Sequence, residues 1–199
     1  DMEQDTVEFT AIIDNVETKT ELDENLNVLW QTEDDITVFY GSEKNSHFIL
    51  YRGAGSTEAT FVGSASNRGD DFDNNYAVYP YSETNELEGN DVVKLNIKEL
   101  QPYKEGGFEA GMNPMVAKTS SIKDFTMNFR NVCGLLKVSV VGDKKITDAI
   151  LMGIDEEPLS GMCHVNVEDM SVTMADDALT YVYVYDSEGN NTRKITRIS

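Results

Sequence analysis

"TVEFTAII", residues 6–13, places Val7, Phe9, Ala11 and Ile13 at every second position, with Thr6, Glu8 and Thr10 between the first of them. Successive side chains of a strand point to opposite faces, so this alternation predicts a half-buried β-strand and is incompatible with a helix of 3.6-residue period. The same period returns at Ile36 and Val38, at Phe48 and Leu50, and at Val165 and Val167. Between such runs lie segments rich in Gly, Asn, Asp and Ser, at residues 23–27, 41–45, 53–56, 63–75, 88–91, 142–144 and 186–191. These are turn compositions at close to regular spacing. Residues 146–154 are apolar enough to leave a short helix open. No composition break marks a linker and no repeat is evident. The reading is all-β, a sandwich of mainly antiparallel strands forming a single domain over residues 1–199.

The 199 residues carry 36 acidic against 16 basic side chains, a net charge of −20. Such a surface repels phosphate backbones and anionic lipid heads, so nucleic acid and membrane-surface binding are excluded as functions. Apolar runs such as 133–136 and 138–141, separated by Lys137, fall far short of the roughly 20 residues a helical membrane span requires. The chain opens at Asp1 with neither an initiator Met nor a charged-then-apolar leader, as expected of a mature or trimmed chain. Cys133 and Cys163 are the only cysteines. They could form one bridge or stay as buried thiols, and the expectation is two thiols. Cys163 and His164 are adjacent and so point to opposite strand faces, which argues against zinc.

In "SASNRGDDFDNNYAV", residues 64–78, Asp71, Asp73 and Asn75 occupy the first, third and fifth places of an EF-hand-like loop. That loop needs Gly sixth and Glu twelfth, where Tyr76 and Ser82 stand. Arg68, Gly69 and Asp70 form an adhesive-type tripeptide that also arises from ordinary turn composition. The segment reads as a solvated turn before a strand at Tyr76. Catalysis by a nucleophile with a histidine base would have to use His47 or His164, both inside predicted strands. Glu156 and Glu157 in "DEEPLSG" read as a turn. "GGFEAG", residues 106–111, has glycines without the strand-to-helix setting of a phosphate loop. No catalytic, cofactor-binding or metal residue is assigned, and the chain reads as a non-enzyme.

A resemblance adds to this. "FTAIIDNVETKTELDENLNVLWQTEDDITVFYG" (9–41) is similar to the opening of the fimbrillin family of Bacteroidetes. "ATFVGS" (59–64), "YAVYPY" (76–81), "NPMVAK" (113–118), "FRNVCGLLKVSVVGDKKITDAILMG" (129–153) and "LSG" (159–161) follow in the order of that family's N-terminal domain. "LTYVYVYDSEGNNTRKI" (179–195) resembles its last hairpin. The resemblance implies a transthyretin-like β-sandwich. It also implies a cell-surface protein exported as an outer-membrane lipoprotein, meeting the membrane only through an anchor on a removed N-terminus. Its role would be pilus accessory, subunit or adhesin, its partners other pilus subunits or host or bacterial surface proteins. The alternative is a glycan-binding surface module, with Tyr40, Tyr51, Tyr79, Tyr81, Tyr181, Tyr183 and Tyr185 as stacking faces.

Departures from the family pattern qualify that picture. Glu33 stands where the family usually has Gly after the Trp, and a β-carbon at positive φ would cost about 1 kcal/mol there. The second domain usual in pilus subunits has no counterpart in these residues. Family shaft subunits mature when an Arg-specific protease removes the first strand, but the earliest arginine here is Arg52. The expectation is an intact monomer. In residue terms, "NVCGLLKVSVV" should be a central strand covered on both faces with Lys137 reaching an edge, Trp30 a core anchor, and Pro80 a strand end.

Overall fold

The computed structural model describes residues 6–14, 28–65, 72–104, 107–134, 136, 138, 141, 143 and 146–186. Strands carry the fold, and no helix occurs among the described residues. In chain order they are β1 (Thr6–Ile13), β2 (Asp35–Phe39), β3 (Asn45–Arg52), β4 (Glu58–Ser64), β5 (Tyr76–Tyr79), β6 (Glu86–Leu87), β7 (Val92–Ile97) and β8 (Leu100–Lys104). The remainder are β9 (Gly107–Phe108), β10 (Met115–Lys118), β11 (Thr126–Asn131), β12 (Asp148–Met152), β13 (Gly161–Asn166), β14 (Val172–Met174) and β15 (Tyr181–Tyr185). The all-β expectation holds. Residues 148–152, within the stretch where a helix was open, form a strand.

A plain two-sheet sandwich is not what these strands build. Seven of them close into a barrel in the order β1-β11-β10-β5-β2-β3-β4. Closure depends on β1, which pairs antiparallel with β4 from Thr6↔Ser64 to Ile12↔Glu58 and parallel with β11 from Thr10↔Thr126 to Ile13↔Phe129. Among the described residues one other pairing, β8 with β15, is parallel. The alternating residues Val7, Phe9, Ala11 and Ile13 all face the barrel interior. There Trp30, 1% exposed, meets Phe61, Tyr79 and Phe129 edge-on at centroid distances of 4.9, 5.5 and 5.3 Å. Trp30 is the core anchor the sequence suggested. Gly63 on β4 has no side chain because a Cβ there would lie 2.6 Å from the Phe48 ring.

A four-stranded sheet, β14-β13-β7-β6, covers one wall of the barrel. Phe39, Tyr76, Val78 and Val116 point outward from β2, β5 and β10 and share an apolar cluster with Leu87, Val93, Leu95, Ile97, Cys163 and Val165. Hence "YAVY" is buried at all four positions: Ala77 and Tyr79 face the barrel interior, Tyr76 and Val78 the second sheet. Polar ties frame this contact. Lys118 Nζ reaches Asp91 at 2.7 Å and Glu168 at 2.9 Å, and Arg130 donates to the Val167 carbonyl. Pro80 closes β5 and is not part of a ladder.

The turn after Trp30 differs from the glycine turn of the family pattern, as Glu33 suggests, and one local expectation is corrected. Glu33 does not sit at positive φ; the turn closes through Asp34 N–H donating to the Gln31 carbonyl at 3.0 Å and Gln31 N–H donating to Asp34 Oδ2 at 2.6 Å. An Asp side chain replaces the glycine's role by holding the turn with a hydrogen bond. The predicted central strand in "NVCGLLKVSVV" does not appear at its described positions. Leu136, Val138 and Val141 lie outside any strand and are 66%, 71% and 98% exposed. Leu135, Lys137, Ser139 and Val140 lie outside the described residues. The covered positions on both faces are instead β5 and β10, which sit between the barrel interior and the second sheet.

Candidate functional site

The third sheet, ordered β12-β15-β8-β9, is where apolar side chains meet solvent. Its register fixes which residues share a face. Across β12 and β15, Asp148 is opposite Tyr185, Ile150 opposite Tyr183, and Met152 opposite Tyr181. Across β15 and β8, Tyr183 is level with Leu100 and Tyr185 with Pro102. Residues directly across a ladder project to the same side. One face is therefore a row of three tyrosines bordered by Ile150 and Met152 on one flank and Leu100 and Pro102 on the other.

None of these residues belongs to either buried cluster. The three tyrosines are half-buried, and Leu100 and Met152 are 50% and 46% exposed. Tyr183 and Tyr185 lie with ring centroids 6.2 Å apart and planes 14° from parallel. The opposite face carries Val182, which is buried. An aromatic strip flanked by aliphatic groups is suited to contact with a planar or apolar partner.

Carboxylates surround the strip. Asp148 is on the same face at the Tyr185 end. Loop 153–160 and segment 175–180 meet at the other end, where Gly153 N–H donates to the Thr180 carbonyl and Leu159 N–H to the Leu179 carbonyl. They bring Asp155, Glu156, Glu157, Asp176 and Asp177 to that end, as the turn reading of "DEEPLSG" allows. Glu156 takes φ 61°, and Glu157 Oε2 accepts from Asp155 N–H at 3.0 Å. Among the described residues the nearby cations are Lys98, just before β8, and Lys104, at its end.

The seven tyrosines proposed as stacking faces do not form one surface. Tyr79 is in the barrel core, and Tyr40 packs against Phe9 and Phe125 at its mouth. Tyr81 stacks on His47 at 3.9 Å, and Tyr51 stands alone, 67% exposed, on β3. Only Tyr181, Tyr183 and Tyr185 are brought together. Both histidines are on strands as read: His47 Nε2 is 2.8 Å from Asp35 and His164 Nδ1 2.7 Å from Glu88. Each is held at the surface by a carboxylate contact, His47 across the β2–β3 ladder and His164 to the residue after β6.

A cleft of about 460 Å³ opens where the barrel meets the second sheet, lined by Asp34, Tyr79, Tyr81, Asn85, Lys98 and Gly111 among others. Its polar atoms are turned on one another. Tyr79 OH donates to Asp34 Oδ1 at 2.7 Å and accepts from Gly111 N–H at 2.8 Å. Asn85 Nδ2 donates to Thr37 Oγ1 and the Pro80 carbonyl, each at 3.0 Å. Burial chiefly, and then Asp35's charge, raises the Asp34 pKa, while the Gln31 and Tyr79 hydrogen bonds oppose the shift. Around Tyr79 and Asn85 the arrangement clamps the barrel end.

Arg68, Gly69, Asp70 and Asp71 lie outside the described residues. Asp73 is exposed, but Asn75 is wholly buried. Its Nδ2 donates to the Ile122 and Asp124 carbonyls at 3.2 and 3.1 Å, so its side chain is a clamp between loops, not a cation ligand in a solvated turn. Among the described residues no cluster of three or more His, Cys, Asp or Glu could hold a metal ion. No helix among them is long and apolar enough to cross a membrane. Both cysteines are thiols, Cys163 buried on β13 and Cys133 half-buried beyond β11. Burial chiefly, with Cys133 adding, pushes the Cys163 thiol up to about 12.

The border residues Ile150, Met152, Leu100 and Pro102 and the carboxylate of Asp148 were not singled out by the sequence. The signal available was the shared alternation of "DAILM" and "YVYVY", which only a known register turns into a face. Comparison of the chain with protein-family models, with curated proteins and with solved structures gives no match.

Proposed function

We propose that the chain is a fimbrillin-type cell-surface protein that works through protein contacts rather than catalysis, as a pilus accessory or subunit or as an adhesin. In this reading it is exported and held at the outer membrane by a lipid anchor, and it is a monomer in isolation. The observation that carries the reading is the tyrosine face of β12-β15-β8, an apolar strip outside both buried cores. Exposed apolar surface of this kind marks interaction sites. The ordered motifs from "FTAII" to "YVYVY" supply the family. The reading takes the barrel wall β2-β5-β10 and the sheet β6-β7-β13-β14, packed face to face over Val78 and Leu95, as the two layers of a transthyretin-like sandwich.

Immunogold labelling of intact native cells, with adherence of a deletion strain, tests the proposal. Labelling without permeabilisation and reduced adherence are expected. Antibody access only after the cells are opened overturns it. The shared face of three tyrosines also supports a second reading, a glycan-binding surface module, because exposed aromatic rings stack on sugar faces. Tyr-dependent binding on a glycan array would favour it.

A further inference from the structure

We propose that the tyrosine face of β15 docks an arginine-bearing segment of a basic partner protein, with the guanidinium stacked on Tyr183 and Tyr185 and its charge met by Asp148. The inference deepens the contact-protein reading and rests on it. Tyr183 and Tyr185 present near-parallel rings at 6.2 Å, on a face whose residues lie outside both cores. A guanidinium is planar and weakly hydrated, and it stacks on aromatic faces; an ammonium is compact and strongly hydrated. Asp148 sits directly across the ladder from Tyr185, within the roughly 5 Å typical of cross-strand β-carbons. The strip therefore offers a stacking surface and a counter-charge at one point. Ile150, Met152, Leu100 and Pro102 would receive the aliphatic parts of the segment.

Charge selects the occupant. Five carboxylates, Asp155, Glu156, Glu157, Asp176 and Asp177, stand on the two loops that meet at the Met152–Tyr181 end, so the partner meets negative charge at both ends of the strip. A second copy of a chain with net charge −20 is repelled there, whereas a cationic segment is attracted by every one of these groups. Among the described residues, Lys98 just before β8 and Lys104 at its end leave the balance negative.

Fluorescence anisotropy of the full chain with a labelled extended peptide alternating Arg with Val and Thr tests this, against the same peptide with Lys. Arg-peptide binding should exceed Lys-peptide binding several-fold and weaken as salt rises. Tyr185→Ala and Asp148→Asn should each weaken it by about two- to fivefold, the range of an exposed cation–π or ion-pair contact. Tyr185→Phe should retain most of the affinity because the ring survives, and Tyr51→Ala, an exposed tyrosine on β3, should change nothing. Circular dichroism of each variant separates lost contacts from lost folding. Equal binding of Arg and Lys peptides, or binding indifferent to Tyr183 and Tyr185, overturns the proposal. So does Tyr-dependent binding of a neutral hexasaccharide in place of the peptide, or a Tyr-dependent dimer in sedimentation. Surface labelling and adherence that persist despite such a result would leave the contact-protein reading standing and remove only the arginine site.

Discussion

Replacing Asn75 with Ala should destabilise the fold far more than changing any acidic residue beside it. Asn75 is 0% exposed, and its Nδ2 donates to the carbonyls of Ile122 and Asp124 at 3.2 and 3.1 Å. Its backbone N–H donates to Thr119 Oγ1 at 2.8 Å, and its carbonyl accepts from Thr119 N–H at 2.9 Å. Alanine keeps the backbone bonds and removes both side-chain donors. A net contribution of about 1 kcal/mol per hydrogen bond, plus partial desolvation of two carbonyls left unmatched, gives about 2–4 kcal/mol. For a chain of this size that corresponds to roughly 2–4 °C of Tm per kcal/mol. Asn75→Asp should be worse, since a carboxylate would face two carbonyl oxygens. Asp73→Ala, two residues earlier and exposed, should stay within about 0.5 kcal/mol. Urea denaturation of the four proteins reads the series directly. An Asn75→Ala loss below about 0.5 kcal/mol, or equal losses for Asn75 and Asp73, would refute the clamp.

Denatured, unreduced protein should titrate two thiols, while in the native state Cys163, buried and with its thiol pKa pushed up to about 12, should resist the thiol reagent; near-zero free thiol on denaturation would overturn this. Ser120 Oγ chiefly, with the Thr126 and Ser120 N–H groups, holds Asp124 below the usual carboxylate range. A depressed folded pKa gives stability that is present above the unfolded value and lost as pH falls through the folded one. The gap between wild type and Asp124→Ala, below about 1 kcal/mol for so exposed a group, should therefore close in acid; a constant gap down to full protonation would refute it. Leu95→Ala, at 1% exposure between the second sheet and the barrel wall, should cost about 2–5 kcal/mol in chemical denaturation, and a loss under 1 kcal/mol would show that the two layers do not depend on that contact. Limited Arg-specific proteolysis should spare Arg52, on the β3 ladder with Nε donating to Thr60 Oγ1 at 3.0 Å; a clean cut there followed by denaturant-resistant polymers would reverse the expectation of an intact monomer.

The phase of "TVEFTAII" was legible because its two faces differ chemically, and all four of its apolar residues lie inside. "YAVY" and "MVA" are continuously apolar, a pattern that fits burial on both sides but was not drawn from the sequence, and the structure supplies the reason in two layers. Closure into a barrel was not legible. It rests on the parallel pairing of Thr10 with Thr126, a contact between distant segments whose local patterns are the same in an open sheet. The apolar run in "NVCGLLKVSVV" shows the limit from the other direction: hydrophobicity states a preference for burial, but the partner that satisfies it is non-local, and Leu136, Val138 and Val141 have none that covers them.

The tyrosine face sits at the boundary between these cases. Alternation in "YVYVY" assigns the three tyrosines to one side, yet it cannot choose between inside and outside, because Tyr has both an apolar body and a polar tip and Val fits either environment. In the structure Val182 is buried and Leu151, across from it, is 44% exposed, while Val184 and the three tyrosines are all half-buried. What lies beside them then becomes decisive. Asp148 is set across from Tyr185 by a register that begins with β12, a strand whose own sequence left a helix open. The same pairing that makes "DAILM" a strand thus places a carboxylate against an exposed ring, and a chain without that register would have tyrosines but no counter-charge at their edge.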